Sequence, residues 1–448
     1  MITSISICLV AFVVLALMLR WGATQSSLGL PLAYLFGLLL IHVPGAIAHA
    51  LPTSVLPYPE WTAQGIGFTA IGSVAFVMGV GLSRVRGGSV PVGYAAPGRR
   101  FWVFCLVAGW LVTYGLTPLT KIPTVGAAIG NGAAIWMLGV MLGLREGSRQ
   151  AFLWAVAMMV FPVLMLLLGG FLSYGSTAIM ICLGPLAVST RSHWRVALGI
   201  VVVAVGSFHV FLSYFQNRED IRDAVWYGAA MENRISQTTK IFTDLKWFDP
   251  NDEAQQSSLD QRLNQNFFVG LAAERLADKE VDYLNGRSLW EGFLSLVPRI
   301  LWPDKPVYGG SPKIVSEMTG LELAEGTSFG VGQVMEFHVN FGVPGIVIGF
   351  LILGWVLGIL DRMAAVAERA GNISRLFKCF LPAVALIQPN GAMVELFGCS
   401  AAAWVAAVAW SRAWSGWSRR GQFSRSGDRV DEMAHRVARQ RPKATASR

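Results

Sequence analysis

The sequence predicts an all-α integral membrane protein of about eleven transmembrane helices carrying one large polar insertion. Three observations predict it. Asp, Glu, Lys and Arg make up 14% of the 448 residues, against roughly 25% in soluble domains. Apolar windows long enough to cross a hydrocarbon layer recur from end to end. Clusters of Arg and Lys fall in every second connection between those windows, the alternation expected of cytoplasmic loops. The ten-residue alternating strands of an outer-membrane barrel are absent from the pattern.

Taken in order, the windows lie near 3–19, 28–51, 62–82, 101–120, 122–143, 151–169, 171–190 and 194–215, then 341–360, 378–395 and 397–412. The first run, Ile5 to Leu19, has no basic leader and no clear small-residue cleavage site, so it is expected to be a retained helix. Arg20, the group Arg84, Arg86, Arg99 and Arg100, the pairs Arg145 and Arg149 and Arg191 and Arg195, and the group from Arg362 to Lys378 mark the cytoplasmic connections. Loops such as 42–60 and 169–175 hold almost no Lys or Arg. That places the N-terminus and the insertion on the external face of the membrane and the C-terminus in the cytoplasm.

Four regions follow: helices over 1–215, a large external loop over 216–332, helices over 333–412 and a basic tail over 413–448. The loop holds 18 of the 27 acidic residues and 12 of the 36 basic ones, so it is net acidic. Within it, 220–245 and 259–277 have helical apolar spacing, with turn residues at 249–252 and a loop over 278–286. The tail from Ser411 has ten Lys or Arg against three acids; it is expected to be disordered and to touch lipid. Much of the net charge of +9 comes from this tail, and nucleic acid is not expected as a partner. Cys8, Cys105, Cys182, Cys379 and Cys399 sit in or beside apolar runs without a CxxC pair, as small buried hydrophobes do.

The chain lacks a Walker loop, a GxGxxG fingerprint and HExxH or GxSxG motifs, and no metal or cofactor is expected. Candidate chemistry gathers instead in the external region. Ser288 to Pro306 joins an apolar run too short to span a bilayer to Pro298-Arg299 and Pro303-Asp304-Lys305-Pro306, as a segment at the membrane face would. Arg262, Arg299 and Lys305 are candidate anion ligands, a guanidinium gripping phosphate oxygens through paired hydrogen bonds and an ammonium acting as a point charge. Arg287 is a weaker candidate. A strip from Gln333 through Glu336 and His338 to Asn340 then leads into an apolar helix, where ionisable groups are costly and often functional. On a helix Gln333, Glu336 and Asn340 share a face; in an extended segment Glu336, His338 and Asn340 align instead.

The order Arg262-Leu263-Asn264, Gly286-Arg287-Ser288, Pro298-Arg299-Ile300-Leu301-Trp302-Pro303-Asp304-Lys305-Pro306 and Glu336-Phe337-His338-Val339-Asn340-Phe341-Gly342 resembles the O-antigen and oligosaccharide repeat-unit polymerases of bacterial envelopes. The resemblance covers about 260–346. It implies a GT-C-like, metal-independent glycosyltransferase of the inner membrane, whose periplasmic loop acts on undecaprenyl-diphosphate-linked oligosaccharide. A chain-length regulator and a flippase are the further partners it implies. Under it, Arg262, Arg299 and Lys305 meet the diphosphate, Glu336 or His338 takes the acceptor proton, and Arg287, Asn340 and Gln333 support substrate. An O-antigen ligase and a polysaccharide transporter or export component are the alternative readings.

Overall fold

A computed structural model describes residues 2–22, 27–83, 98–116, 123–147, 193–245, 247–297, 304–306, 309–322 and 330–439, with isolated positions at 149, 150, 153, 167, 184, 187 and 302. The described residues form helices and loops without strands. In chain order these are α1 (Ile2–Gly22), α2 (Leu30–Ala50), α3 (Pro59–Leu82), α4 (Arg99–Gly115), α5 (Pro123–Arg145) and α6 (His193–Gln216). The insertion contributes α7 (Arg218–Trp226), α8 (Met231–Thr243), α9 (Glu253–Leu263), α10 (Gln265–Ala277), α11 (Arg287–Ser295) and α12 (Gly310–Thr319). The chain ends with α13 (Gln333–Arg369), α14 (Ile373–Ala385) and α15 (Met393–Arg439).

Among the described residues, four helices are long and apolar enough to cross a membrane: Leu30–Ala50, Pro59–Leu82, Gln333–Arg369 and Met393–Trp417. The chain is thus a helical membrane protein. Apart from positions 153, 167, 184 and 187, the windows near 151–169 and 171–190 lie outside the described residues. The window 378–395 is not one helix: α14 ends at Ala385 and α15 begins at Met393, because Gln388-Pro389-Asn390-Gly391 turns the chain between them. The tail, expected to lack structure, continues α15 helically to Arg439. Its sequence sets Glu432 four residues before Arg436, a spacing that supports helix.

α13 is two helical arms folded on one another. Phe341 (φ −145°, ψ 20°) and Gly342 (φ 64°, ψ −153°) leave the helical region between them, and a positive φ of this kind suits glycine. On a continuous helix Phe337 and Phe350 would stand about 20 Å apart. Their ring centroids are 5.4 Å apart, so residues 333–340 double back on residues 343–369. The crossing is close enough that a Cβ at Gly345 would lie 2.3 Å from the Phe337 carbonyl oxygen.

The long arm lies along α3 through a seam of glycines. Gly354 meets the Phe76 carbonyl, Gly79 the Leu351 carbonyl and Gly358 the Ser83 side chain, and Phe350 fills the space left by Gly72. Small residues let helix backbones approach closely where no hydrophobic force between helices exists. A Cβ at Gly354 would fall 2.1 Å from the Phe76 oxygen. Gly354→Leu is therefore expected to cost about 1–3 kcal/mol through forced separation of the helices, read as a lower Tm in detergent. An unchanged Tm would mean the two helices do not meet along this seam.

The insertion docks into this same core. Val269, Ala272, Ile314 and Val315 are buried in one apolar cluster with α2, α3 and α13. Gly270 of α10 leaves a Cβ position only 2.2 Å from the Trp61 carbonyl. α11 lies against the start of α15, with Phe293 and Phe397 ring centroids 5.2 Å apart, while Trp290 on the same helix stays exposed. At the opposite end of the bundle the Asp361 carboxylate accepts from Leu28 N and Leu30 N, capping α2 where its peptide dipoles favour an anion.

Candidate functional site

The structure settles the strip as helix, so Gln333, Glu336 and Asn340 share one face and His338 does not. Residues 333–340 run from deep in the bundle back to its insertion side. The deep end is marked by Tyr34, whose hydroxyl donates to Gln333 Oε1 at 2.7 Å. Tyr34 lies about 20 Å along α2 from His49, whose ring meets Asp260 of the insertion at 2.7 Å.

Gln333 is wholly committed to the protein. Its Nε2 donates to Gln388 O at 2.8 Å and Gly391 O at 2.6 Å. Its backbone N–H and that of Gly332 donate to Pro389 O and Asn390 O. A single fully buried amide thus fastens the short arm to α2 and to the turn between α14 and α15.

Asn340 closes the other end. Its Oδ1 accepts from Gly286 N at 2.9 Å, and its Nδ2 donates to Ser288 Oγ at 2.8 Å and Glu336 O at 2.7 Å. Gly286 has φ 87° and packs beneath Phe341, so the turn before α11 needs glycine twice over. Two stretches about fifty residues apart in sequence are therefore joined at one point.

Between these ends lies Glu336, fully buried. Its Oε2 accepts from Met393 N at 2.7 Å, at the start of α15, where unpaired N–H groups favour a carboxylate. Its Oε1 has no hydrogen-bond partner. Ser288 lies beside the same carboxylate, and Glu395 and Glu291 are near enough to act on it. Glu395 itself accepts from Ser311 N and Oγ through Oε1 and from Ala392 N through Oε2. Two carboxylates thus hold consecutive N–H groups at the head of α15.

His338 faces the other way. Its ring stacks on Phe68 of α3, centroids 4.7 Å apart, and its buried Nδ1 has no partner. Glu336 and His338 accordingly meet different helices and do not converge on one proton.

Of the candidate cations, Arg299 lies outside the described residues. Arg287 donates through Nη2 to both oxygens of Glu317 at 2.6 Å. Lys305 donates to Ser295 O at 3.0 Å and Val297 O at 2.9 Å, which closes the C-terminal end of α11 as a cation at a helix end does. Lys305→Met is expected to lower Tm while leaving affinity for inorganic pyrophosphate unchanged; a loss of affinity at unchanged Tm would make Lys305 an anion ligand. Arg262 stands elsewhere, at the end of α9, its Cζ 5.7 Å from the Phe215 ring centroid.

The Asn264 to Asn266 stretch stood out in the sequence, but its partners His42, His49, Thr62 and Asp260 did not; together they form a buried polar chain between insertion and bundle. From His49 and Asp260 it runs to Asn264, whose Nδ2 donates to Asp260 Oδ1 and Thr62 Oγ1 at 2.6 and 2.8 Å. Asn266 Nδ2 donates to Asn264 Oδ1 and to His42 O, and Asn266 Oδ1 meets His42 Nδ1 at 2.7 Å. The trace in the sequence was the pair Asn264 and Asn266 flanked by Leu263 and Phe267. They pack so tightly that a Cβ at Gly45 would lie 2.2 Å from the Asn264 Cβ, and one at Gly65 2.3 Å from the Asn266 carbonyl.

Fold and site together define a helical membrane protein whose insertion is locked to the bundle by buried amides, with one carboxylate oxygen left open. No family model, no curated protein and no solved structure matches the chain.

Proposed function

We propose that the chain polymerises lipid-linked oligosaccharide repeat units, as a glycosyltransferase of the bacterial inner membrane with about eleven spans, a GT-C-like architecture and a periplasmic insertion. One observation carries the reading: Asn340 binds Gly286 N and Ser288 Oγ. Two of the sequence elements on which the resemblance rests are thereby one construction, with Glu336 inside it.

In the proposed reaction an acceptor sugar hydroxyl attacks the anomeric carbon of a glycan on undecaprenyl diphosphate. A new C–O bond forms as the bond to the diphosphate oxygen breaks, and the leaving diphosphate carries away the electron pair. The hydroxyl proton passes to Glu336, whose Oε1 is the oxygen without a partner, as general-base catalysis requires of a positioned carboxylate. Arg262 and Arg299 offset the charge on the diphosphate. Because Glu336 is enclosed, the acceptor must part the Ser288 and Met393 segments beside it to reach Oε1.

The test is a reconstituted assay with purified protein and synthetic undecaprenyl-diphosphate repeat units. Chain growth without nucleotide sugar is the expected result. Transfer only to a lipid A core would make the protein a ligase, and no transfer to either acceptor would sink the glycosyltransferase reading.

A further inference from the structure

Arg262 stands in a group of cations on the insertion whose other members, Arg218 and Arg222, belong to none of the sequence motifs and to no part of the Glu336 site. Arg218 and Arg222 are four residues apart on α7 and so share a face. Arg218 Cζ lies 5.2 Å from the Phe215 ring centroid, and Arg262 Cζ lies 5.7 Å from the same ring. Arg222 sits over Trp226 at 5.3 Å. All three are half-buried.

Packing the Arg218 and Arg262 guanidinium groups against one ring is unfavourable unless something anionic meets them. Burial, Arg218 and Arg222 hold Arg262 below the ordinary guanidinium range; burial and Arg222 do the same to Arg218. Among the described residues, neither Arg218 nor Arg262 makes an ion pair. Glu219, next to Arg218, acts on it electrostatically but is exposed, as are Asp220 and Asp223. The Nε of Arg218 is buried without a hydrogen-bond partner.

The aromatic floor explains how the cluster is held. Phe215 and Trp226 offer their ring faces to the guanidinium planes, an attraction that orients cations without neutralising them. Below, Leu212, Leu259 and Ala48 are buried together, with Phe208, Phe211 and Leu263 against them, which fixes α6, α9 and α2 to each other. The group therefore stands at the end of α6 where the chain leaves the bundle; if α6 spans, as its apolar window predicts, that end lies at a bilayer surface.

We propose that Arg218, Arg222 and Arg262 form a binding site for a diphosphate group at the insertion-side membrane surface. Planar forks match phosphate oxygens in pairs, and three of them suit a group with more than one negative charge better than a monoanionic phosphodiester. The choice of a lipid-borne diphosphate rests on the polymerase reading; the cationic site itself does not.

The experiment uses the full-length protein in phosphate-free detergent, titrated with inorganic pyrophosphate and followed by calorimetry and thermal unfolding. Pyrophosphate is expected to raise Tm, and Arg218→Gln and Arg262→Gln are each expected to weaken its binding about tenfold. Without anion, both variants should unfold at the same or a higher temperature than the parent, since like-charge repulsion is relieved. Lowered Tm with undiminished pyrophosphate affinity would overturn the site, because that is what a purely structural arginine gives. Should Arg218→Gln fail to fold, Arg218→Lys, which keeps the charge and loses the fork, and Arg262→Gln carry the comparison. Phosphatidylcholine nanodiscs containing farnesyl diphosphate, set against nanodiscs of phosphatidylglycerol, separate the two sources of phosphate; equal protection by both would reassign the cluster to ordinary head groups and overturn the diphosphate assignment. Arginine-dependent pyrophosphate binding in a protein that extends no repeat unit would refute the polymerase reading and leave the site standing.

Discussion

Glu336→Gln is expected to slow chain growth by about two to four orders of magnitude, the contribution typical of a positioned general base, while leaving donor binding and Tm near the parent values. The amide keeps an oxygen for Met393 N, which now satisfies Glu336 Oε2 at 2.7 Å. What it loses is the ability of the open oxygen to take a proton. Glu336→Ala removes both functions, and is expected to lower Tm as well, because Met393 N is then left without its acceptor. Comparing the two variants separates chemistry from capping. If Glu336→Gln retains full turnover, Glu336 is a helix cap and not a base. His338→Gln is the natural companion: its ring stacks on Phe68, away from Glu336, so a loss as large as that of Glu336→Gln would move the base to the other face of the short arm.

Hydropathy made the membrane helices legible, and the windows at 28–51, 62–82 and 397–412 fall on helices long enough to span. What hydropathy does not carry is direction. Residues 333–340 and 343–369 read as one apolar approach and one span, yet they are antiparallel arms joined at Phe341 and Gly342. Gly342 and Pro344 stood in the sequence, but a glycine and a proline alone do not say whether a helix bends or reverses. The decisive restraint is Phe337 against Gly345, Gly349 and Phe350, a tertiary contact. The candidate site was legible to a similar depth. Spacing placed Gln333, Glu336 and Asn340 together once helix was assumed, whereas the partners Ser288, Met393 and Tyr34 are distant in sequence. Arg218 and Arg222 had the right helical spacing and nearby aromatics, but their companion Arg262 lies forty residues on, and only packing of α9 against α6 brings it to Phe215.

Gln333→Leu is expected to be the most destabilising single change outside the glycine seams. It removes the acceptor of Tyr34 Oη and the donor to Gln388 O and Gly391 O; Gln388 O still accepts from Gly391 N, so two groups, Tyr34 Oη and Gly391 O, lose their partner at a cost of about 1–3 kcal/mol each. Both carbonyls belong to the turn at 388–391, which also accepts from Gly332 N and Gln333 N, so the loss falls where α13 and α15 are joined. Met393 follows that turn, and Glu336 depends on Met393 N; chain growth should therefore fall with stability, not independently of it. A double-mutant cycle with Tyr34→Phe sharpens the expectation. Once Tyr34 has lost its hydroxyl, Gln333→Leu strands one group fewer, and coupling of about 0.5–3 kcal/mol should appear. Full additivity of the two changes in Tm-derived stability would mean that Tyr34 and Gln333 do not share a hydrogen bond, and that the short arm is held at its deep end by the 388–391 turn alone.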